Sequence, residues 1–151
     1  MNLYLITGTT KGLGAALFDQ LAADPGNLVI GLSRGAESLV APANVHIDFN
    51  DVAGIAPAFE RAAALFAGKK FDSAVLLNNA GMVAPVARFD HLEAAATATN
   101  LNVNLVAPMV LTSLFAQQTA GLAPQRLVVN ISSGAAKRAI AGWSAYCAAK
   151  A

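Results

Sequence analysis

"LYLITGTTKGLG", residues 3–14, joins a short apolar run to a cluster of three glycines. The run "LYLIT" (3–7) does not alternate apolar with polar residues, so it reads as a strand covered on both faces. Four stretches of the same kind follow: "LVIGLS" (28–33), "VHIDF" (45–49), "AVLLN" (74–78) and "RLVVNIS" (126–132). Between them, helix-period segments cover 12–23, 51–67 and about 91–118. Strands alternating with helices predict βαβ units and a parallel sheet. Right-handed crossovers then give a doubly wound α/β sheet with helices on both faces, and its ligand crevice lies at the carboxyl ends of the strands where the winding reverses.

Composition narrows the partners. Ten Lys plus Arg stand against nine Asp plus Glu, a formal net charge of +1 with no dense basic run, which excludes a nucleic-acid footprint. Cys147 is the single cysteine, and neither His46 nor His91 stands at metal-ligand spacing from it, so no disulfide framework and no metal site are expected. The opening "MNLYLITG" has no leader pattern, and no apolar run reaches the ~20 residues of a membrane span, so no membrane partner and a cytoplasmic location are expected. Hydrophobic residues make up 56% and charged residues 13%, which suits buried strands and a large subunit interface. With no repeat or linker, residues 1–151 read as one domain.

Gly8, Gly12 and Gly14 follow the first strand and open a helix. They allow a tight turn, close approach of the backbone to a pyrophosphate, and a helix start whose free N–H groups favour anions. Thr10, Lys11 and Leu13 lie between them and share the expected cradle. The spacing G-x-x-x-G-x-G is neither the common dinucleotide fingerprint nor a Walker loop. After the second strand, where an acidic residue would bind ribose hydroxyls, the sequence has Ser33 and Arg34. A guanidinium can bond a 2′-phosphate bidentately, and Lys11 adds a second cation, so NADP(H) is expected over NAD(H). The plainer alternative is two ordinary surface cations.

With this loop, "NNAG" (78–81), Asn104, Ser133, Tyr146 and Lys150 in order, the whole chain resembles the short-chain dehydrogenase/reductase family. Within it, "YLITGTTKGLG" and "NISSGAAKRAIAGWSAYCAAKA" look most similar to sepiapterin reductases and bacterial benzil reductases. The resemblance implies a Rossmann-type fold and reduction of a small-molecule ketone or diketone by NADPH. It also implies a homodimer or homotetramer. It assigns Lys150 to the nicotinamide ribose, selects Ser133 over Ser132 by its thirteen-residue spacing from Tyr146, and places Asp48 against the adenine. Asp48 could equally cap the helix beginning near residue 51.

Tyr146 and Lys150 are four apart and share a helix face. A phenol ordinarily holds its proton at neutral pH, and a neighbouring ammonium favours its release. Ser133, read as ending the last strand, would stabilise charge growing on a carbonyl oxygen while Tyr146 donates the proton. Pro108 has no N–H for the carbonyl of Asn104, which is thereby freed to hold a water against Lys150; the alternative is a local backbone role on a kinked helix. Asn79, Ala80 and Gly81 are small enough to let adenosine and ribose pass close to the backbone. Trp143 reads as a pocket wall or as packing, and Cys147 as a buried filler.

Relatives of this family run to roughly 250 residues, so the chain is expected to be a C-terminally incomplete fragment. The competing reading is a nucleotide-binding or redox-sensing module without catalysis. Sugar-nucleotide epimerisation, a third, usually goes with G-x-x-G-x-x-G in the first loop.

Overall fold

In the computed structural model, which describes residues 1–39 and 42–151, five parallel strands form one sheet in the order β3-β2-β1-β4-β5. The strands are β1 (Asn2–Thr7), β2 (Asn27–Ser33), β3 (Ala43–His46), β4 (Ser73–Asn78) and β5 (Gln125–Asn130). The chain winds outward from β1 through β2 to β3, then crosses to β4 on the other side of β1, so the reversal lies between β1 and β4. This is the expected doubly wound, Rossmann-type α/β fold. Leu3, Leu5, Ile30, Leu32, Val45 and Leu76 are fully buried, and Ile55, Phe59, Leu111 and Phe115 pack onto them from the helices.

Two strands differ from the sequence expectation for one reason: a strand needs a partner. β3 occupies 43–46 rather than 45–49, because β2 ends at Ser33, opposite His46. Beyond it a single bond, Ile47 N to Ser33 O at 3.0 Å, closes the ladder. Likewise β5 stops at Asn130, opposite the last residue of β4, so Ser133 does not end the strand as expected but lies three residues past it. β5 is the edge strand, and its Leu127 is 56% exposed.

The helices are α1 (Gly12–Ala22), α2 (Val52–Ala64), α3 (Ala94–Leu101), α4 (Ala107–Gln118) and α5 (Ser144–Lys150). The helix expected over 91–118 begins only at Ala94, because residues Phe89–His91 form a separate 3-10 turn. Between α3 and α4 the chain keeps helical but widens into a π-turn, Asn102–Val106, where Ala107 N bonds Asn102 O five residues back. The expected kink is therefore an expansion, placed just ahead of Pro108, whose ring nitrogen cannot donate. Ala94–Gln118 together span 25 residues, and their most apolar 18-residue window has a mean hydropathy of 1.2, which passes a membrane-span test by length and composition only, as the core helix of a globular fold also can. Its buried residues nonetheless include Asn100 and Asn104, both hydrogen-bonded, and Ala107, Leu111 and Phe115 join the core over the sheet.

Thr7 fastens the two strands at the reversal. Its buried hydroxyl accepts from the N–H groups of Asn79 and Ala80, both at 2.9 Å, and Asn79 Nδ2 returns to Thr7 O at 2.9 Å. Asn79 N also reaches Leu77 O, whereas Ala80 N donates to Thr7 Oγ1. Thr7→Val keeps the shape but removes the acceptor of the half-buried Ala80 N–H, and should cost about 1 kcal/mol. Urea unfolding should show the midpoint falling with an unchanged slope; a loss below about 0.5 kcal/mol would contradict this role.

Candidate active site

The carboxyl ends of β1, β2 and β4 border a cleft of about 570 Å³. Its walls include Gly8, Thr10, Lys11, Gly12 and Leu13 from the glycine loop, Ser33 and Arg34 after β2, Asp48 after β3, and Asn79, Ala80 and Gly81 after β4. The sequence expectation thus brings eleven cofactor candidates from four segments to one surface. Gly14 is buried beneath it instead: a Cβ there would run into Gly8 O and Asn79 Nδ2. Gly8 has φ 75°, and a Cβ on it would lie 2.9 Å from Ala80 Cα. These contacts let the loop sit against the end of β4, a close approach that side chains would block.

The cleft's electrostatics suit an anion. Among the described residues, neither Lys11 nor Arg34 enters an ion pair. Lys11 is also the N-cap of α1 yet makes no side-chain cap, which leaves the N–H groups of the first turn available toward the loop. Ser33 is more constrained than expected: its buried hydroxyl donates to Asn44 Oδ1 at 2.8 Å and accepts from Gly35 N at 3.2 Å. The alternative for Asp48 as the helix cap is overturned, since Asp51 caps α2 by accepting from Gly54 N at 3.2 Å. Asp48 Oδ1 instead takes Asn50 N at 2.9 Å, and the residue borders the cleft.

A second cavity, about 500 Å³, adjoins along Ala80 and is lined by Asn104, Lys150, Ser132 and the ends of β4 and β5. Lys150 Nζ donates to Ile131 O at 2.9 Å and lies 5.8 Å from the centre of the Tyr146 ring. Trp143 meets the same ring edge-on at 5.7 Å, so the aromatic packs on Tyr146. Tyr146 and Ser133 line neither cavity. Ser133 Oγ accepts from Ala135 N at 3.2 Å, turning the 3-10 turn Gly134–Ala136 that packs against α5. Cys147 is only partly buried, with Sγ 3.9 Å from Arg138 O.

The side chain of Asn104 holds main chain rather than facing Lys150 as a donor. Its Nδ2 donates to Met82 O at 2.7 Å and Asn100 Oδ1 at 3.0 Å, and its Oδ1 accepts from Met82 N at 3.0 Å. Asn100, fully buried one turn earlier, donates to the carbonyls of Met82, Val83 and Ala84. This clamp, together with Thr7 and Asn44, was missed in the sequence. The only available signal was polar residues inside apolar segments, "TATNLNVNLVAP" above all, where a buried amide must find partners.

Burial lowers the pKa of Lys150 below its ordinary 10.5 by penalising the ammonium. The unfolded chain therefore binds more protons than the folded one between the lowered value and 10.5, so this lysine's penalty on folding is full below that window and vanishes as pH rises through it. In urea titrations at increasing pH, the native protein should gain stability relative to Lys150→Met across the alkaline range. Parallel curves would contradict the burial argument.

Residues 2–151 match the family model described as short chain dehydrogenase. Among curated proteins, the chain is similar to benzil reductases ((S)-benzoin forming) of Bacillus cereus and Bacillus subtilis, each 37% identical over 100% of this chain and over 64% and 63% of theirs. The chain thus spans under two thirds of the length of these relatives. Among solved structures, a short-chain dehydrogenase/reductase from Burkholderia vietnamiensis superposes with a TM-score of 0.84 at 33% identity, covering 99% of this chain and 73% of that one. Two more, a metagenomic short-chain oxidoreductase in complex with NADP and a 4-hydroxyisoleucine dehydrogenase complexed with NADH, give TM-scores of 0.82 and 0.83 at 28% and 25% identity. Each covers 99% of this chain, and 70% and 63% of its own. The glycine loop packed on NNAG, the five-stranded order and this match over nearly every residue agree: the chain belongs to the short-chain dehydrogenase family.

Proposed function

We propose that this chain carries the dinucleotide site and acid–base residues of an NADPH-dependent reductase that converts a ketone or diketone to an alcohol. The observation that carries the cofactor half is the cleft at the β1–β4 reversal, bordered by two cations without ion-pair partners among the described residues. Gly8, Thr10, Lys11, Gly12 and Leu13, on the floor that Gly14 permits, would hold the pyrophosphate. Arg34, beside Ser33, and Lys11 would hold a 2′-phosphate, Asp48 the adenine, and Asn79, Ala80 and Gly81 the ribose. When bound, the reduced dinucleotide supplies the hydride.

The remaining steps fall to the chain's own side chains. Tyr146 donates a proton to the carbonyl oxygen as charge grows there. Ser133 already accepts a hydrogen bond from Ala135 N, which leaves its own O–H to stabilise that oxygen. Lys150 spends one ammonium hydrogen on Ile131 O and keeps two for the ribose and for a water that passes protons to Tyr146. The Asn104 carbonyl, within the π-turn and four residues before Pro108, is the acceptor for that water, while its side chain fixes the loop at Met82. Leu105 and Met109, exposed one turn apart on the long helix, offer apolar surface to a second subunit of a homodimer or homotetramer. The similarity to benzil reductases points to an aromatic diketone as substrate.

NADPH oxidation followed at 151 residues and at the length of the relatives, against benzil and aliphatic diketones, tests the reading. Turnover is expected at the length of the relatives, with Tyr146→Phe there lowering kcat by about 10²–10⁴-fold. Cofactor binding without turnover in either form would instead favour the non-catalytic nucleotide-binding module. Arg34→Ala should weaken NADPH binding by about 10-fold or more and leave NADH within about two-fold, as expected for loss of one charge-assisted phosphate contact; equal losses would reject the 2′-phosphate role.

A further inference from the structure

The segment carrying Arg34 is held in place by a residue outside the cleft. Asn44 stands on β3, opposite Gly31 of β2. Its Oδ1 accepts from Thr9 Oγ1 at 3.0 Å, within the glycine loop, and from Ser33 Oγ at 2.8 Å, next to Arg34. Its Nδ2 donates to Ala36 O at 2.9 Å, two residues past Arg34. Its main chain exchanges two bonds of 2.8 Å with Ser38. One side chain thus ties both flanks of Arg34 to the loop that carries Lys11, and its main chain anchors the far end of the same segment.

We infer that Asn44 is the positioning residue for recognition of the adenosine 2′-phosphate, an inference that rests on the NADP(H) reading above. Arg34 is exposed, and a long exposed cation loses side-chain and loop freedom when it binds. A bidentate phosphate bond also requires the guanidinium fork to arrive at a fixed distance and angle. Fixing Ser33 and Ala36 removes most of the loop's share of that cost before the ligand arrives. Fixing Thr9 through the same oxygen sets the spacing between the Arg34 segment and the Lys11 segment, so the two cations converge on one anion. Packing supports the assignment: a Cβ on Gly31 would lie 2.6 Å from Thr9 Oγ1 and 2.8 Å from Asn44 Oδ1, so the sheet has kept a glycine where these two groups meet.

The test compares 2′,5′-ADP with 5′-AMP by calorimetry. The two differ by the one phosphate and occupy only the adenosine half of the cleft. The native chain is expected to bind 2′,5′-ADP at least about 10-fold more tightly. Asn44→Ala should bring that ratio down by at least about five-fold, with the dissociation constant for 5′-AMP within about two-fold of native. Thr9→Val, which removes one bond of the node, should give a smaller fall, and should add nothing in the Asn44→Ala background. An equal loss for both ligands would mark a merely structural residue and overturn the inference. An unchanged ratio in Asn44→Ala would overturn it too, as would an unchanged ratio in Thr9→Val should Asn44→Ala fail to fold. A native ratio near one would instead bring down the cofactor reading itself, and the inference with it.

Discussion

Everything at the carboxyl edge of the sheet depends on how closely β1 can approach β4. The ladder between them ends at Ile6 and Leu77, and beyond it close backbone contacts and two short polar side chains join the strand ends. Gly8 passes against Ala80, Gly14 lies under Gly8 and Asn79, and the Thr7 hydroxyl accepts from the N–H of Ala80 and shares that of Asn79 with Leu77 O. The Thr7 hydroxyl at the centre of these contacts is buried, and a buried polar group without partners costs more than an ordinary hydrogen bond returns, so this closure serves the fold as much as the site. It also sets the depth of the cleft, because the glycine loop can lie no lower than the contacts permit.

Asparagines form a second frame around that closure. Asn44 fastens the loop after β2, Asn79 the end of β1, and the pair Asn100 and Asn104 the loop after β4. An amide can donate and accept at once, so a single residue bridges two main-chain segments without bringing in a charge. Fixed loops around a polar cleft are what a dinucleotide site requires, since loop ordering would otherwise be subtracted from binding. The π-turn fits the same scheme: one extra residue in the long helix precedes Pro108 and surrounds Asn104 just where that residue faces the loop after β4.

Strand edges and helix ends were the least legible features. The apolar runs "VHIDF" and "RLVVNIS" extend past the residues that pair, because pairing stops where the neighbouring strand stops and a neighbour's length is not written in the run itself. That difference moves Ser133 off β5 and into a turn packed on α5. Asp48 against Asp51 is similar: two carboxylates three apart are both eligible helix caps by composition, and only the direction of the chain entering α2 gives the role to Asp51.

The sequence alone determined the parallel sheet, the glycine loop and the residue types at the strand ends, because these follow from local steric freedom, apolar runs and the order of elements along the chain. The tertiary structure decided which of those residues share a surface. Lys11 and Arg34 border one cleft, Lys150 and Asn104 another, and the clamps that hold both, Thr7, Asn44 and Asn100, came to light only in the fold. The physical reason is that a buried polar side chain takes its role from partners tens of residues away, and those partners are set by which strands lie side by side.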